Sequence, residues 1–578
     1  MVNAPSRVPD LVIGKRRHSP HRALRATGLL SALVVVAFIV AWFIYRRAVT
    51  YDLPGGDPPR HPLALEQASP GAPARLRWGD ASLSTVGDLS VLRAGGEPFA
   101  LGAAHGRLLA HALPAAEQAF APGVRTVAGD GGLLGGWTHG LRVDWRLRFV
   151  DDGVPAHHRR GLAGLVRGAR ASGVGVDHTA ALRHLAALDL GLPAPWSGET
   201  RNRRLARSLT VVAPQAGATG GRLWVGRSLA LPGLGDGGDA AAAPVVSLVR
   251  PTGRLAWAGV GWAGGLGVVT GVNEAGLAIA VHPTITRDLR PTRTARPVAL
   301  LARDVLEAAR DLDAAIKLLE ATPTLGAAAF VVVDGAAGRW AVVDRSPTRV
   351  GVRRDPAEPA VGDVLLSPAF ADDPENDRAR RSSASPRRVA RAARLLREPL
   401  ADAAAVASVL RDRRGAADEG LPPGHRAAVD DAAAVHVVII DPASLVLWVA
   451  DGPGAGSRMR AFDLRHELRG EGERPAPAAD VPADAMREPQ AAVAIRRARA
   501  ELRTARRLAR RDRTRAREHV ARALALAPTL PEAHLLAGFL AQAAGDRAAM
   551  RAAWERWLEL GADDPGEEAA IRAAVAAP

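Results

Sequence analysis

The sequence predicts an α+β fold in which sheets and helices are stacked in layers. Three observations indicate it. Short β-branched or alternating segments closed by Gly, Asn or Pro are grouped between Ser208 and Pro283. Amphipathic helical segments follow over residues 297–323. Two further strand pairs lie near residues 327–347 and 433–454. Because the strands come in blocks, the pattern argues against alternating βαβ units.

Composition excludes several functions. The 578 residues are 48% hydrophobic and can supply the cores of more than one domain. The formal charge is +16, but the basic residues are nearly all Arg, with Lys15 and Lys317 the only lysines. These arginines are scattered through every segment, so no nucleic-acid partner is expected. The absence of Cys excludes disulfides, thiolate metal sites and cysteine nucleophiles.

The N-terminal region predicts a membrane anchor. Residues 28–45 form an uncharged apolar run that ends in aromatic side chains, which favour a membrane interface. More basic residues precede this run, in residues 1–27, than follow it at Arg46 and Arg47. We therefore expect a single-pass protein with a cytoplasmic N-terminus and a periplasmic or extracellular main part. A cleaved signal peptide is the alternative, although the apolar run is long and lacks a clear small-x-small cleavage site.

The rest of the chain divides by composition into five segments: a Pro- and Gly-rich linker (46–87), a helical region (88–207), a mixed core (208–465), a second linker (466–490) and a helical end (491–578). The helical end resembles tetratricopeptide repeats in its stop at Pro528, its turn at Gly545–Asp546 and its second stop at Pro565. It holds little more than one repeat, whereas a stable stack needs about three. Helices that cap the main domain are the alternative.

Two motifs are rejected as cofactor or metal sites. Residues 259–264 match G-x-G-x-x-G, but a strand-like segment follows where a dinucleotide site needs a helix. His157 and His158 lack the spacing of a zinc helix and are interpreted as surface histidines. No P-loop or G-x-S-x-G motif is present. We therefore predict no cofactor and no metal.

Four segments in one order carry a family resemblance: GGEPFALGAAHGRLLA (95–110), VPAHHRRGLAGLVRGARASGV (154–174), TGVNEAGLAIAV (270–281) and VVIIDPASLVLWVADGPG (437–454) with a following FDL. Together they resemble the isopenicillin-N acyltransferase-like branch of the N-terminal-nucleophile (Ntn) hydrolases, over about residues 88–465.

The resemblance implies a four-layer αββα fold and an inactive precursor. In the family, the precursor cuts its own backbone before a cysteine. The freed α-amino group, with a pKa near ~8, then serves as base for the side chain of the same residue. Such enzymes hydrolyse or transfer amide-linked acyl groups through an acyl-enzyme.

Aligning the family pattern places Ser208 at the cysteine position, with the cut between Arg207 and Ser208. It gives Arg227 as a retained site arginine and Asn273 as the residue expected to contact the oxyanion. The alternative is that Ser208 only starts a strand and that Asn273 only shapes a turn.

Other expected polar positions are lost. The carboxylate that helps to orient the amine is here Ala230, a second asparagine is Ala329, and the family's Asn-His-Phe is Pro368-Ala369-Phe370. These substitutions predict a degenerate site that is weakly active, or a non-catalytic scaffold that binds a protein partner through its C-terminal helices. The alternative is an active serine enzyme that takes an acyl-amide ligand. In either case the Arg-rich helix near residues 495–517 has a further possible role in binding anionic lipid or polymer.

Overall fold

The computed structural model describes residues 20–51, 53–67, 74–116, 141, 145, 147–190, 207–217, 221–231, 244–288, 294–432, 434–470, 478–485 and 489–577. It divides into two compact units, Met1–Thr50 and Tyr51–Pro578. The first unit contains helix α1 (Pro20–Val49). Within Leu29–Val49 of α1, an 18-residue window has a mean hydropathy of 2.3, and none of that window is buried. The helix is long and apolar enough to cross a membrane, and a signal sequence would meet the same criteria.

The second unit contains two sheets. Its strands are β1 (Leu63–Glu66), β2 (Arg75–Trp78), β3 (Ala81–Val86), β4 (Leu89–Gly96), β5 (Arg207–Pro214), β6 (Leu223–Ala230), β7 (Val245–Pro251), β8 (Trp257–Gly261), β9 (Thr270–Asn273), β10 (Leu277–Thr284), β11 (Ala327–Asp334), β12 (Arg339–Arg345), β13 (Val350–Arg354), β14 (Ala360–Val361), β15 (His436–Asp441), β16 (Val446–Ala450) and β17 (Met459–Asp463). The larger sheet has the order β1-β2-β3-β4-β7-β8-β9-β10-β11-β12-β13, and the smaller has the order β14-β5-β6-β15-β16-β17.

The helices of this unit are α2 (Pro98–Leu108), α3 (Val150–Gly153), α4 (Ala156–Ala171), α5 (His178–Leu185), α6 (Ala187–Leu190), α7 (Val298–Ala308), α8 (Leu312–Ala321), α9 (Pro374–Ser382), α10 (Ser385–Leu395), α11 (Ala403–Leu410), α12 (Leu464–Arg469), α13 (Pro489–Leu508), α14 (Arg513–Leu526), α15 (Pro531–Gln542), α16 (Arg547–Glu559) and α17 (Pro565–Ala576).

Three hydrophobic cores separate four layers. The first lies between the larger sheet and helices α2, α7 and α8, and the second lies between the two sheets. The third lies between the smaller sheet and helices α10 and α11. Strand β10 shows why: Leu277, Ile279 and Val281 enter the first core, whereas Ala278 and Ala280 enter the second. This arrangement confirms the predicted α+β fold with αββα layers.

Two predicted boundaries differ from the structure. The segment predicted as a linker (46–87) contains β1, β2 and β3, and the region predicted as helical (88–207) begins with β4. Strand β4 pairs in parallel with β7 and so extends the larger sheet. The sequence carries a signal for these strands, because a glycine separates successive alternating segments at positions 79 and 87. Both glycines have positive φ (58° and 59°) in tight turns.

Helices α2 and α4, which carry the first two family-like segments, pack backbone to backbone. A Cβ added to Gly102 would lie 1.8 Å from the carbonyl oxygen of Gly161. A Cβ added to Gly106 would lie 2.1 Å from the carbonyl oxygen of Leu165. The glycines in these segments therefore permit a helix contact that a side chain would prevent.

The C-terminal helices α13–α17 enclose two small cores of their own. They also bond to the sandwich: Arg496 donates to the carbonyl oxygens of Ala432 and Ala434, and Arg387 pairs with Glu568 at 3.0 Å. They therefore cap the main domain. Their likeness to tetratricopeptide repeats stays a prediction.

Candidate active site

Ser208 lies near the start of β5, with its side chain in the space between the two sheets. Along β5, Leu209 and Val211 enter the third core, on the helix side of the smaller sheet, and Val212 enters the second core, between the two sheets. Strand alternation therefore turns Ser208 and Thr210 inward. Ser208 is only 1% exposed. Strand β14 pairs with β5 through Ala360↔Val211 and Val361↔Thr210, and continuing this register places Asp363 opposite Ser208.

The carboxylate of Asp363 binds Ser208 twice. Its Oδ1 atom accepts a hydrogen bond from the Ser208 backbone N–H at 2.7 Å and from the Ser208 hydroxyl at 2.5 Å. Its Oδ2 atom accepts from Arg388 at 3.0 Å, and its backbone N–H donates to Ser385 Oγ at 3.1 Å. The nucleophile predicted from the sequence therefore contacts a carboxylate that is held on several sides.

His282 reaches the same hydroxyl from the other sheet. Its Nδ1 atom lies 2.9 Å from Ser208 Oγ. Its Nε2 atom lies 2.7 Å from Arg227 Nη1 and 2.7 Å from Thr210 Oγ1. A guanidinium can only donate, so Nε2 accepts and the proton of a neutral ring is on Nδ1. His282 therefore donates to Ser208 Oγ, and the Ser208 hydroxyl donates to Asp363.

The predicted site residue Arg227 belongs to this cluster. It lies on β6, is fully buried, and donates to Thr210 Oγ1 at 2.9 Å and to the carbonyl oxygen of Val281. It is linked to Ser208 through His282, which contacts the Ser208 hydroxyl. Arg227 thus fixes the orientation of the imidazole and its tautomer.

Burial controls the charges of the cluster. Desolvation, with the positive charges of Arg227 and Arg388, holds the pKa of His282 well below its ordinary value, so the ring stays neutral. Desolvation also lowers the pKa of Arg227 to about 9. It raises the pKa of Asp363, although Arg388 and the hydrogen bonds from Ser208 oppose that rise. A carboxylate with a raised pKa is a better proton acceptor for a hydroxyl.

Asn273, the third predicted site residue, does not join Ser208. Its Nδ2 atom donates to the carbonyl oxygens of Leu306 and Ala309 at 3.0 and 2.7 Å. Its Oδ1 atom accepts from the backbone N–H groups of Ala275 and Leu277. Leu277 and His282 are five residues apart on β10, about 17 Å at the usual strand rise. With its amide already bonded at the far end of β10, Asn273 makes no oxyanion contact in this geometry and stabilises a turn instead.

The structure also explains the substituted positions. Ala230 ends β6 opposite Arg207 and carries no carboxylate. Asp363 supplies a carboxylate to Ser208 from a different strand. Ala329 is buried opposite His282 in the β10–β11 pair, and Phe370 is packed in the core between the sheets. Asp363 and His282, which are not part of the expected polar set, contact the Ser208 hydroxyl.

Neither of these residues was predicted from the sequence. His282 was visible as a histidine on the inner face of an apolar strand, in register with Ala278 and Ala280. Asp363 had a weaker signal, because the strand before it has only two residues, Ala360 and Val361.

The interpretation of His158 as a surface histidine was wrong. His158 is 3% exposed, and its Nε2 atom lies 2.7 Å from Asp304 Oδ1. Burial lowers its pKa to about 4. Among the residues that the structure describes, His157, His158 and Asp304 lie close enough together to hold a metal ion. Asp304 already pairs with Arg296, and a guanidinium at this point disfavours a second cation.

One family model matches part of the chain, and several solved structures are similar to it. Residues 245–450 match the family model of acyl-coenzyme A:6-aminopenicillanic acid acyl-transferase. No curated protein sequence matches the chain. Among solved structures, an N-acylethanolamine-hydrolyzing acid amidase ortholog from Caenorhabditis elegans is 16% identical, with a TM-score of 0.29, covering 41% of this chain and 93% of its own. A point mutant of a conjugated bile acid hydrolase from Clostridium perfringens is 10% identical, with a TM-score of 0.30, covering 47% and 96%. A second variant of that hydrolase is 10% identical, with a TM-score of 0.31, covering 48% and 100%.

The matched residues 245–450 include β10 with His282, the third family-like segment and most of the fourth, together with Asp363. Over these residues, the chain carries the sequence pattern of the acyl-coenzyme A:6-aminopenicillanic acid acyl-transferase family.

Proposed function

We propose that this chain is a membrane-anchored Ntn-type amidohydrolase or acyltransferase that cuts itself before Ser208 and then uses Ser208 as its nucleophile on acyl amides. One observation carries the proposal: Asp363 Oδ1 accepts from both the backbone nitrogen and the hydroxyl of Ser208. A single carboxylate therefore contacts both the oxygen that loses a proton and the nitrogen that gains one in the self-cut.

The self-cut begins when Ser208 Oγ attacks the carbonyl carbon of Arg207 and its proton passes to Asp363. The bond to the Ser208 nitrogen then breaks, and Asp363 returns the proton to that nitrogen. An ester now joins Arg207 to Ser208 Oγ. Water hydrolyses this ester and leaves a carboxylate on Arg207 and a free α-amino group on Ser208.

In the mature protein, the α-amino group takes the proton of Ser208 Oγ when the hydroxyl attacks a substrate amide. An α-amine has a pKa near ~8, so part of it is unprotonated at neutral pH. Asp363 holds this amine through its former N–H contact, and His282 Nδ1–H is the nearest donor for the developing negative charge. The amine product leaves with a proton, and water or a second amine takes the acyl group.

The membrane anchor in this proposal is α1, with the basic N-terminus in the cytoplasm and the sandwich in the periplasm or outside the cell. The support is the exposed apolar surface of residues Leu29–Val49 and the excess of basic residues before this span.

A non-catalytic scaffold is the second candidate. The observation that favours it is the closed state of the cluster, because Ser208 is 1% exposed and His282, Asp363 and Arg227 are 0% exposed. A chain that never cuts itself keeps Ser208 covered. Its remaining function is to bind a protein partner, for which the C-terminal helices are the proposed surface.

Labelling with a β-lactone, which acylates nucleophilic serines, separates the two candidates. The full chain is purified in detergent as wild type, Ser208→Ala and Ser228→Ala. Ser228 is a matched control, since it is a buried serine on β6, the strand next to β5. We expect one acyl label on Ser208 in the wild type and the control, and none in Ser208→Ala. Absence of label, with no Ser208-dependent hydrolysis of acyl amides, would favour the scaffold.

A further inference from the structure

Arg426 ties the segment between α11 and β15 to the C-terminal helices. Its Nη2 atom donates to Glu532 Oε2 on α15 at 3.0 Å, and its Nη1 atom donates to Asp564 Oδ2, just before α17, at 3.3 Å. Its Nε atom lies 3.3 Å from Asp563 Oδ2. The side chain of Glu532 is 2% exposed and that of Asp563 is 0% exposed. Three carboxylates of the C-terminal region thus enclose the Arg426 guanidinium and fix it by charge and by geometry.

The backbone of Arg426 reaches the candidate active site. Its carbonyl oxygen accepts a hydrogen bond from Arg388 Nη1 at 3.0 Å. Arg388 lies on α10 and is 3% exposed, and its Nη2 atom donates to Asp363 Oδ2 at 3.0 Å. The other oxygen of Asp363 accepts from Ser208. One buried guanidinium therefore bridges the Arg426 backbone and the carboxylate that contacts the proposed nucleophile.

The position of Arg388 controls the charge of Asp363. Burial raises the pKa of Asp363, and among the groups that oppose this rise Arg388 has the largest effect. The other charged or titratable groups around this carboxylate are Arg227 on β6 and the neutral ring of His282 on β10. If Arg388 moves away, the pKa of Asp363 rises further, and more of it is protonated at a given pH. A protonated Asp363 cannot take up the proton of Ser208.

We propose that Arg426 is a positioning residue of the candidate active site, through which the C-terminal helices hold Arg388 against Asp363. The C-terminal helices then take part in the self-cut, besides capping the main domain. This inference rests on the proposed function, because it requires Asp363 to accept the proton of Ser208. It goes further by naming a residue, and a region of the chain, that set the state of Asp363 from a distance.

The test measures the pH dependence of the self-cut in full chains. Arg426→Gln removes the cation from its three carboxylates, and Arg426→Lys keeps a charge there. Arg387→Gln is the matched control, because Arg387 is the neighbour of Arg388 on α10 and bonds the same C-terminal helices through the carbonyl oxygen of Ala562 and through Glu568. Each chain is made by cell-free synthesis in detergent, and loss of the uncut form is followed by intact mass over a range of pH. Thermal unfolding is measured on the same chains.

We expect the rate of the wild-type self-cut to rise with pH as Asp363 loses its proton. In Arg426→Gln this rise should move to higher pH, so that on the acid side of the wild-type midpoint the variant cuts on the order of 10-fold more slowly. Arg426→Lys should shift the midpoint less, and Arg387→Gln should keep the wild-type midpoint even if its Tm falls. A purely structural role for Arg426 predicts a lower Tm without a shift of the midpoint, and that result would overturn the inference. An equal shift in Arg387→Gln would overturn the route through Arg426.

If Arg426→Gln does not fold, Asp564→Asn takes its place, because it weakens the same contact at a carboxylate that is 23% exposed. We expect a shift in the same direction, and an unchanged midpoint would overturn the inference. Self-cutting with the same midpoint in wild type and variant overturns this inference alone. A wild-type chain that neither cuts itself nor turns over any acyl amide overturns the proposed function, and this inference with it.

Discussion

Replacing Asp363 with Asn removes the charge next to Ser208 and keeps the size of the side chain. In the uncut chain, Asp363 Oδ1 accepts from Ser208 N at 2.7 Å and from Ser208 Oγ at 2.5 Å, while Oδ2 accepts from Arg388 at 3.0 Å. An amide oxygen can still accept a hydrogen bond, but it cannot take up the proton of Ser208. The amide nitrogen faces either Ser208 or Arg388, and both faces require an acceptor.

Two magnitudes follow from this geometry. Arg388 is 3% exposed, and its side chain loses the carboxylate that compensates its charge. Removing one partner of a buried ion pair typically costs about 3–5 kcal/mol of folding free energy. Removing the group that accepts the proton of a nucleophile typically lowers its rate by about 10²–10⁴-fold. We therefore expect Asp363→Asn to be less stable and to cut itself at least about 100-fold more slowly.

The assay follows the uncut chain by intact mass over time, with thermal unfolding measured on the same samples. Asp334→Asn is the matched control: Asp334 is buried, accepts three backbone N–H bonds, and pairs in register with Leu277 at the far end of β10 from His282. It should lose stability and cut at the wild-type rate. A folded Asp363→Asn chain that cuts as fast as wild type would refute the role given to Asp363.

Three further predictions concern stability and the placement of Asn273. Asn273→Ala should lower the free energy of unfolding by several kcal/mol, at about 1 kcal/mol for each of its four hydrogen bonds, and leave the rate of the self-cut unchanged. A slower self-cut without a loss of stability would instead support an oxyanion role for Asn273. Burial lowers the pKa of His105 to about 4 and that of His436 to about 3. Below pH 6.5, both histidines therefore bind protons in the unfolded chain but stay neutral in the folded chain. Lowering the pH from 7 to 5 should therefore destabilise the fold by about 2 kcal/mol for each of these two histidines, seen as a fall in Tm, and a Tm that rises over this range would contradict their burial as neutral rings. Gly106→Ala should lower the free energy of unfolding in denaturant by at least about 1–3 kcal/mol, since the added Cβ meets the Leu165 carbonyl oxygen. Gly173 has open space but positive φ, so Gly173→Ala should lower the free energy of unfolding by only about 1–2 kcal/mol.

The layered fold was predictable because strand alternation and helix periodicity are local properties of the chain. Leu277, Ile279 and Val281 alternate with Ala278, Ala280 and His282, and that pattern alone implies a strand covered on both faces. The strands before residue 97 were missed, because a Pro- and Gly-rich segment precedes them and their turn glycines were interpreted as part of a linker.

The site was predictable only in part, because its groups come from separate strands. Ser208 and Arg227 were found by their place in a family pattern. Asp363 lies 155 residues from Ser208, and His282 lies 74 residues from it. Their approach depends on the pairing of β5 with β14 and on the stacking of the two sheets, which no local pattern encodes. At Asn273, a matching motif gave a residue whose side chain the fold bonds in a turn, and its predicted oxyanion role stays a prediction.

The intact mass of the purified full chain, with N-terminal sequencing of every fragment, shows whether the chain cuts itself. We predict two fragments, the second beginning at Ser208, and their loss in Ser208→Ala. A folded wild-type chain that remains a single uncut polypeptide would contradict the account and leave the αββα domain as a scaffold.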